Sequence, residues 1–441
     1  MPEIRLSNHR RNHRGELSSP RIQQAIDVCS AAGGGRVILG PGSYRCGTLF
    51  LRDNVTLHLE AGASILGSPR LADYPEPETS FVDAVGDIRG RALILAERVR
   101  NAGLTGEGVI DGNGGAFHQG APEHPSRPFL VRLVHARGVK IQGLTLRASA
   151  AWTVHLLDCE DGLVENVVID SRVNENNDGI DIDSSRRVTV RHCNIFTDDD
   201  AVCLKATRRE PCEDIHVHDC ELSTECGALK LGTESYGDMR RVKIHDIHIR
   251  YAATCAIKVL TSDGAHIEDV DIRNVRADLT TGPIFVRLGA RGRTYAKGDE
   301  PKPAGRLRRL SISSLRAKVF QPDAPSIQHF TKELMPPEAF SGILMTGVPQ
   351  QMIEDVTLRD CEIELVGGFQ GDASKISPPE DAAMYPEHFY FGVLPGAAAY
   401  LRHVRGAKFE SVKLTLQKPD SRPLLAKEDV EDFFSTHPAC Q

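Results

Sequence analysis

Aromatic side chains make up only 5% of this 441-residue chain, and there is a single tryptophan. No apolar run approaches the ~20 residues needed for a membrane-spanning helix. Positive charge is also short: the net charge is −7, which gives no electrostatic footprint for nucleic acid. The opening residues, Met1-Pro2-Glu3-Ile4-Arg5, lack the apolar stretch of a secretory signal. The expectation is therefore a cytoplasmic protein, or a periplasmic or secreted one whose signal has been removed. Eleven cysteines are an odd number and fall at equivalent repeat positions rather than in paired spacings, so buried free thiols are expected instead of a disulfide framework. Glycine, by contrast, is abundant at 39 residues, and Val, Ile and Leu recur in short alternating runs. That combination favours an all-β chain with many turns.

Those runs repeat. Val139-Lys-Ile141-Gln-Gly-Leu144-Thr-Leu146 aligns with Val188-Thr-Val190-Arg-His-Cys193-Asn-Ile195 and with Ile215-His-Val217-His-Asp-Cys220-Glu-Leu222. The series continues from Val242, Val270, Leu310 and Val356. Each unit alternates apolar and polar, breaks phase at one residue, then resumes, as a strand–bend–strand would. The middle units recur about every 23–28 residues, a solenoid period. A sandwich or propeller does not explain a phase break at the same place in each unit, so a parallel β-helix of about ten coils is expected. Cys193, Cys220, Ile247 and Val275 share one column and predict an internal ladder. A second strand follows each unit and places Ile180, Val202, Leu229, Ile257 and Ile284 inward; Asp181, Cys203, Lys230, Lys258 and Phe285 face outward. Residues 19–420 are read as one β-helix domain, with 1–18 an N-terminal extension and 421–441 a tail. Ser19–Cys29 has helical apolar spacing and a capping serine, and predicts a helix over the open end of the solenoid. The interruptions near 291–306 and 321–342 predict surface loops.

Two acidic clusters sit one coil apart: Asn176-Asn177-Asp178-Gly179 and Asp198-Asp199-Asp200-Ala201. Stacking would bring Asp178 beside Asp199 and Asp200 at the spacing of neighbouring strands, about 4.8 Å. Strict alternation would bury Asp178 and Asp200, so both are placed at the bend just before the strand. Crowded carboxylates repel, raise the pKa of at least one, and supply a proton donor and an acceptor at one pH. This is the requirement for hydrolysing a glycosidic bond. Alone, Asp178 or Asp181 reads as a turn residue; together the three aspartates Asp178, Asp199 and Asp200 read as catalytic, because stability does not require stacked like charges.

The motifs resemble glycoside hydrolase family 28, the polygalacturonases and their relatives. Asn176-Asn177-Asp178-Gly179 stands where that family has Asn-Thr-Asp-Gly, and Asp198-Asp199-Asp200 stands where it has Gly-Asp-Asp. Ala256-Ile257-Lys258 partly matches Arg-Ile-Lys. The resemblance extends over residues 20–420 and implies a right-handed parallel β-helix and inverting hydrolysis of pectic galacturonic-acid linkages. It also implies Asp199 as general acid, with Asp178 and Asp200 activating water. The family's Gly-His-Gly is Glu225-Cys226-Gly227 here, and its arginine is Ala256. These departures shift the expected substrate from long homogalacturonan toward short, branched or mixed uronides; exo action is favoured over endo because the long loops would close one end of the groove.

Substrate-binding candidates follow the outward column. Lys230 and Lys258 lie side by side, and like charges directly opposite are destabilising unless an anion sits between them. The nearby aspartates or a substrate carboxylate are the anions considered. Lys205, Glu234 and Arg287 join them, Glu234 pairing with a lysine or binding sugar hydroxyls. Phe285, Tyr385, Tyr390 and Tyr400 are candidates for stacking on sugar rings. Trp152 reads as core and His155 as structural, while His403 is within reach of the groove. The partner expected is a poly- or oligosaccharide. The His and Cys residues follow the coil period and show no zinc spacing, so no metal and no cofactor are implied. Two other classes fit the same fold: a calcium-dependent lyase with the aspartates as ligands and a lysine as base, and a non-catalytic carbohydrate-binding β-helix.

Overall fold

The computed structural model describes residues 2–7, 16–83, 86, 88–320 and 342–436. The loop expected at 321–342 lies almost wholly outside the described residues. The chain folds as a right-handed parallel β-helix and divides into two compact units, Met1–Val202 and Cys203–Gln441.

In the first unit, three sets of short parallel strands stack coil on coil. One set includes Gly35–Leu39, Val55–Leu59, Gly103–Gly106, Lys140–Gln142, Glu160–Glu165 and Arg186–Arg191. Its register carries Leu104 onto Ile141, Val164 and Val190, all buried. Alternation thus becomes an internal column because register in a parallel stack keeps like positions on one face. Another set contains Phe129–Val134, Val154–Leu157 and Ile180–Asp183, and aligns Val131, Val154 and Ile180. Glu3–Leu6, outside the 19–420 span, pairs parallel with Gly35–Leu39.

A helix, α1 (Ser19–Ala31), buries Ile22, Ala25, Ile26 and Cys29, an i, i+3, i+4, i+7 pattern that gives one apolar stripe. It packs against the first strands of this unit. The expected serine cap does not form: neither Ser18 nor Ser19 caps the helix, and the Ser19 hydroxyl instead accepts from the Gly47 N–H at 2.8 Å. Pro20 sits in the first turn, where its missing N–H costs nothing.

The second unit repeats the scheme with longer strands. Cys212–Thr224, Met239–Thr261, His266–Leu288 and Arg306–Val319 lie in parallel. Cys220, Ile247, Val275 and Leu315 are in register and buried, so this part of the predicted ladder is present. Leu229, Ile257 and Ile284 form a second buried column. Strands Leu425–Glu431 and Phe434–Ser435 continue the stack past residue 420. Among the described residues ten cysteines are free thiols, nine buried and Cys226 half-buried.

The phase break is a single residue in the left-handed region. Asp219, Asp246, Asn274, Ser314 and Asp360 hold φ at 51–56°. Asn and Asp tolerate this conformation through local hydrogen bonding. A second corner column has the same geometry and alternates in charge: Asp214, Arg241, Asp269, Arg309 and Asp355, with φ of 54–57°. Arg241 meets Asp214, and Arg309 meets Asp269, each at 2.7 Å.

Candidate active site

The two acidic motifs meet in the first unit. Asp178 and Asp200 lie in bends immediately before strands, as expected, and are almost fully buried; Asp199 is 8% exposed. The Gly179 N–H donates to the Asp200 carbonyl at 2.9 Å, and the Ile180 N–H donates to the Ala201 carbonyl at 3.0 Å. These bonds fix the Asp178 bend against the Asp199-Asp200 bend on the next coil. Glycine at 179 is required by proximity: a Cβ there would lie 2.3 Å from the Ala201 carbonyl oxygen. Gly179→Ala should therefore push the two bends apart and lower kcat/KM about 10²-fold, the scale expected of ~1 Å misplacement. Wild-type kinetics in that variant would show that the spacing is not critical.

The loop before Asp178 is pinned by side-chain amides. Asn177 is fully buried; its Oδ1 accepts from the Val173 and Asn174 N–H groups, and its Nδ2 donates to the Ser149 and Ala151 carbonyls, all at 2.9 Å. Every hydrogen-bonding position of that amide is used. Asn176 donates from Nδ2 to Asp199 Oδ2 at 3.2 Å, while its Oδ1 accepts from Arg127 at 2.9 Å. Asp199 Oδ1 accepts the Asp200 N–H at 2.9 Å. Arg127 also donates to the Glu175 and His124 carbonyls. Sequence reading missed Arg127, whose position 49 residues before Asn176 carries no local signal.

The substrate-binding candidates all lie in the second unit, and the outward column there is covered. Lys205 is buried and pairs with buried Glu234 at 3.1 Å, the lysine partnership foreseen for Glu234. Lys230 and Lys258 are directly opposite in register, as the repeat predicted. The carboxylate that reaches both belongs to Glu387, 2.5 Å from Lys258 Nζ and 3.7 Å from Lys230 Nζ. Phe285 is not a sugar platform: it is fully buried among Cys255, Leu260, Leu344, Phe391, Leu394 and Tyr400. Tyr400 is closed off in the same cluster, its hydroxyl donating to Glu428. Arg287 is buried too, donating to the Thr346 hydroxyl and to the Gly347 and Asp381 carbonyls. Burial, with Arg402 nearby, pulls its guanidinium down to about 10, still charged at neutral pH. Strand alternation gave the correct side for Phe285 and Arg287, but not the segment that packs over it. His403 is engaged on both ring nitrogens, by Asp429 at 2.6 Å and by Glu380. Tyr390 is 46% exposed, an accessible ring beside Phe389. In the first unit, Trp152 is core, packed on Phe129 at 5.3 Å.

His388 belongs to the covering segment. Its ring meets Phe285 edge-on at 5.5 Å, and Nε2 donates to the Gly342 carbonyl at 3.3 Å. Burial, with Lys258 nearby, pushes its pKa down to about 4. The folded state resists protonation, so its stability is intact above the ordinary histidine pKa and falls as pH drops from ~6.5 toward 4. The loss should total about 3 kcal/mol, and His388→Gln should lack it. Urea unfolding of both proteins at pH 7.5 and 4.5 tests this, and equal acid losses would refute it.

Coils of parallel strands with two adjacent acidic bends define a parallel β-helix bearing an acidic site. The sequence model of glycosyl hydrolases family 28 matches residues 78–288. A probable polygalacturonase of Vitis vinifera is 27% identical over 59% of this chain and 57% of its own length. An exo-poly-α-D-galacturonosidase of Dickeya chrysanthemi is 26% identical over 50% of this chain and 45% of its own. The chain thus spans about half the length of these curated relatives. Among solved structures, a family 28 exopolygalacturonase of Yersinia enterocolitica superposes with a TM-score of 0.72 at 18% identity, covering 98% of this chain and 78% of that one. The Thermotoga maritima exopolygalacturonase gives 0.66 at 21%, covering 82% and 88%. The chain is therefore similar to glycosyl hydrolases family 28 over residues 78–288, and it shares the fold of these exopolygalacturonases.

Proposed function

We propose that this protein hydrolyses glycosidic bonds in a pectic or other uronic-acid-containing poly- or oligosaccharide, inverting the anomeric centre and acting from chain ends. The observation that carries the reading is the backbone bond from Gly179 to Asp200, which brings the acidic bends of adjacent coils together. In this reading Asp199 protonates the leaving glycosidic oxygen, while Asp178 and Asp200 orient and deprotonate water on the opposite face of the sugar. An inverting reaction needs this division between one acid and a base that activates water. Asn176 holds Asp199 through Nδ2 and is itself held by Arg127, so the acid is aimed by a chain of hydrogen bonds. The relatives' names, exo-poly-α-D-galacturonosidase among them, support the pectic substrate class and the exo mode.

The test is a panel of pectic oligosaccharides with products followed by proton NMR during the first turnovers. Monosaccharide release with inverted anomeric configuration is expected. An unsaturated, ultraviolet-absorbing product would instead identify β-elimination, and the absence of any turnover across the panel would sink the hydrolytic reading.

A further inference from the structure

Two ammonium groups placed opposite each other in a buried parallel ladder repel unless an anion joins them. Lys258 is fully buried and Lys230 is 5% exposed. Glu387 supplies one carboxylate oxygen toward each, Oε2 at 2.5 Å from Lys258 and Oε1 at 3.7 Å from Lys230. A sugar's C6 carboxylate bridging the same pair would have to occupy that position.

The glutamate is not on a mobile arm. It precedes the short turn His388–Phe391, whose Phe391 and His388 rings both pack on Phe285. Upstream, Arg287 holds the Asp381 carbonyl at 2.8 Å, and Arg402 holds those of Pro378 and Pro379 at 3.1 and 2.6 Å. Downstream, Leu394 joins the Phe285 cluster, and Arg422 donates to its carbonyl at 2.9 Å. The covering segment is therefore fastened on both sides of Glu387. Lys205, in turn, is paired with Glu234. Each lysine of the outward column carries a carboxylate from the protein itself.

We propose that Glu387 is a specificity-determining residue that occupies, with its own carboxylate, the double-lysine position a substrate uronate would otherwise take, so that the covered column offers no anion site and the sugar unit bound against this face is uncharged. This rests on the pectic reading above and narrows it to polymers that mix uronic acid with neutral sugars. The Lys230–Lys258 pair is then a structural ion cluster in the native protein, and it becomes an anion site only when Glu387 is removed.

The experiment compares galacturonate with galactose, which differ only at C6, in wild type, Glu387→Gln and Glu387→Ala. Affinity is read by calorimetry or ligand-observed NMR, and specificity by kcat/KM on the matching aryl glycosides. Wild type should show no preference for the acid. The variants should shift the acid-to-neutral ratio toward the acid by about tenfold or more, the scale of one charge-assisted hydrogen bond. A lower melting temperature with an unchanged ratio would mean that Glu387 only stabilises the lysines, and would overturn the proposal. Should neither variant fold, wild type decides alone: a tenfold preference for galacturonate that disappears in Lys230→Met would also overturn it. Because binding is measured apart from turnover, a switch in binding by a protein that hydrolyses nothing would refute the hydrolytic reading and leave this one standing.

Discussion

Asp199→Asn is expected to lower kcat on any cleaved glycoside by about 10²–10⁴-fold, the usual contribution of a positioned proton donor. The substitution keeps the side chain's shape and removes its ionisable proton. The amide's Oδ1 can still accept the Asp200 N–H that Asp199 now accepts at 2.9 Å. Its Nδ2 would face the Asn176 amide nitrogen, so one hydrogen bond is lost, at a cost of about 1 kcal/mol. Removing a charge beside the neighbouring acids works in the opposite direction. The variant should therefore melt close to wild type while turnover collapses. Near-normal kcat, or retention of configuration in wild-type product, would remove Asp199 from the role of acid.

The largest effect on stability should come from Asp263→Ala in the second unit. Asp263 is fully buried, and its two oxygens accept from Arg291 at 2.9 and 2.7 Å, from the Tyr295 hydroxyl at 2.7 Å and from the Arg293 N–H at 3.1 Å. Removing it leaves a guanidinium, 7% exposed, without its counter-charge. Breaking one side of such a pair costs about 3–5 kcal/mol. For a unit of this size that corresponds to a fall in Tm of roughly 10 °C. Arg291→Leu added to Asp263→Ala should then cost little more, because the two act as one interaction. A loss below about 1 kcal/mol in the single variant would contradict this account.

The parts that were legible in the sequence are those that repeat. The phase break between Val217 and Leu222 is the left-handed Asp219, and the same residue type recurs at Asp246 and Asn274. The Cys220–Ile247–Val275 column follows from it, because register keeps equivalent residues in line. The acidic bends were visible for the same reason: they sit where one coil ends and its second strand begins. What escaped is whatever covers the coils. Periodicity assigns Phe285 and Lys258 to a side of the strand and says nothing of a segment returning from far along the chain. Glu387 lies 129 residues beyond Lys258 and belongs to no repeat. Asp263 likewise looks like an ordinary turn acid until Arg291 and Tyr295 fold back onto it.

The alternating corner of the second unit has a consequence for how such a chain can change length. Asp214, Arg241, Asp269, Arg309 and Asp355 give each coil a sign opposite to its neighbours. Deleting one inner coil would set aspartate against aspartate or arginine against arginine, in a conformation already unfavourable for a residue bearing a Cβ. Deleting two consecutive coils restores the alternation. Insertions obey the same arithmetic, as do exchanges of coils between copies of the chain. The corner therefore acts as a parity check on the solenoid: gains or losses in pairs should be tolerated, and odd steps should be penalised even when every internal apolar column still matches.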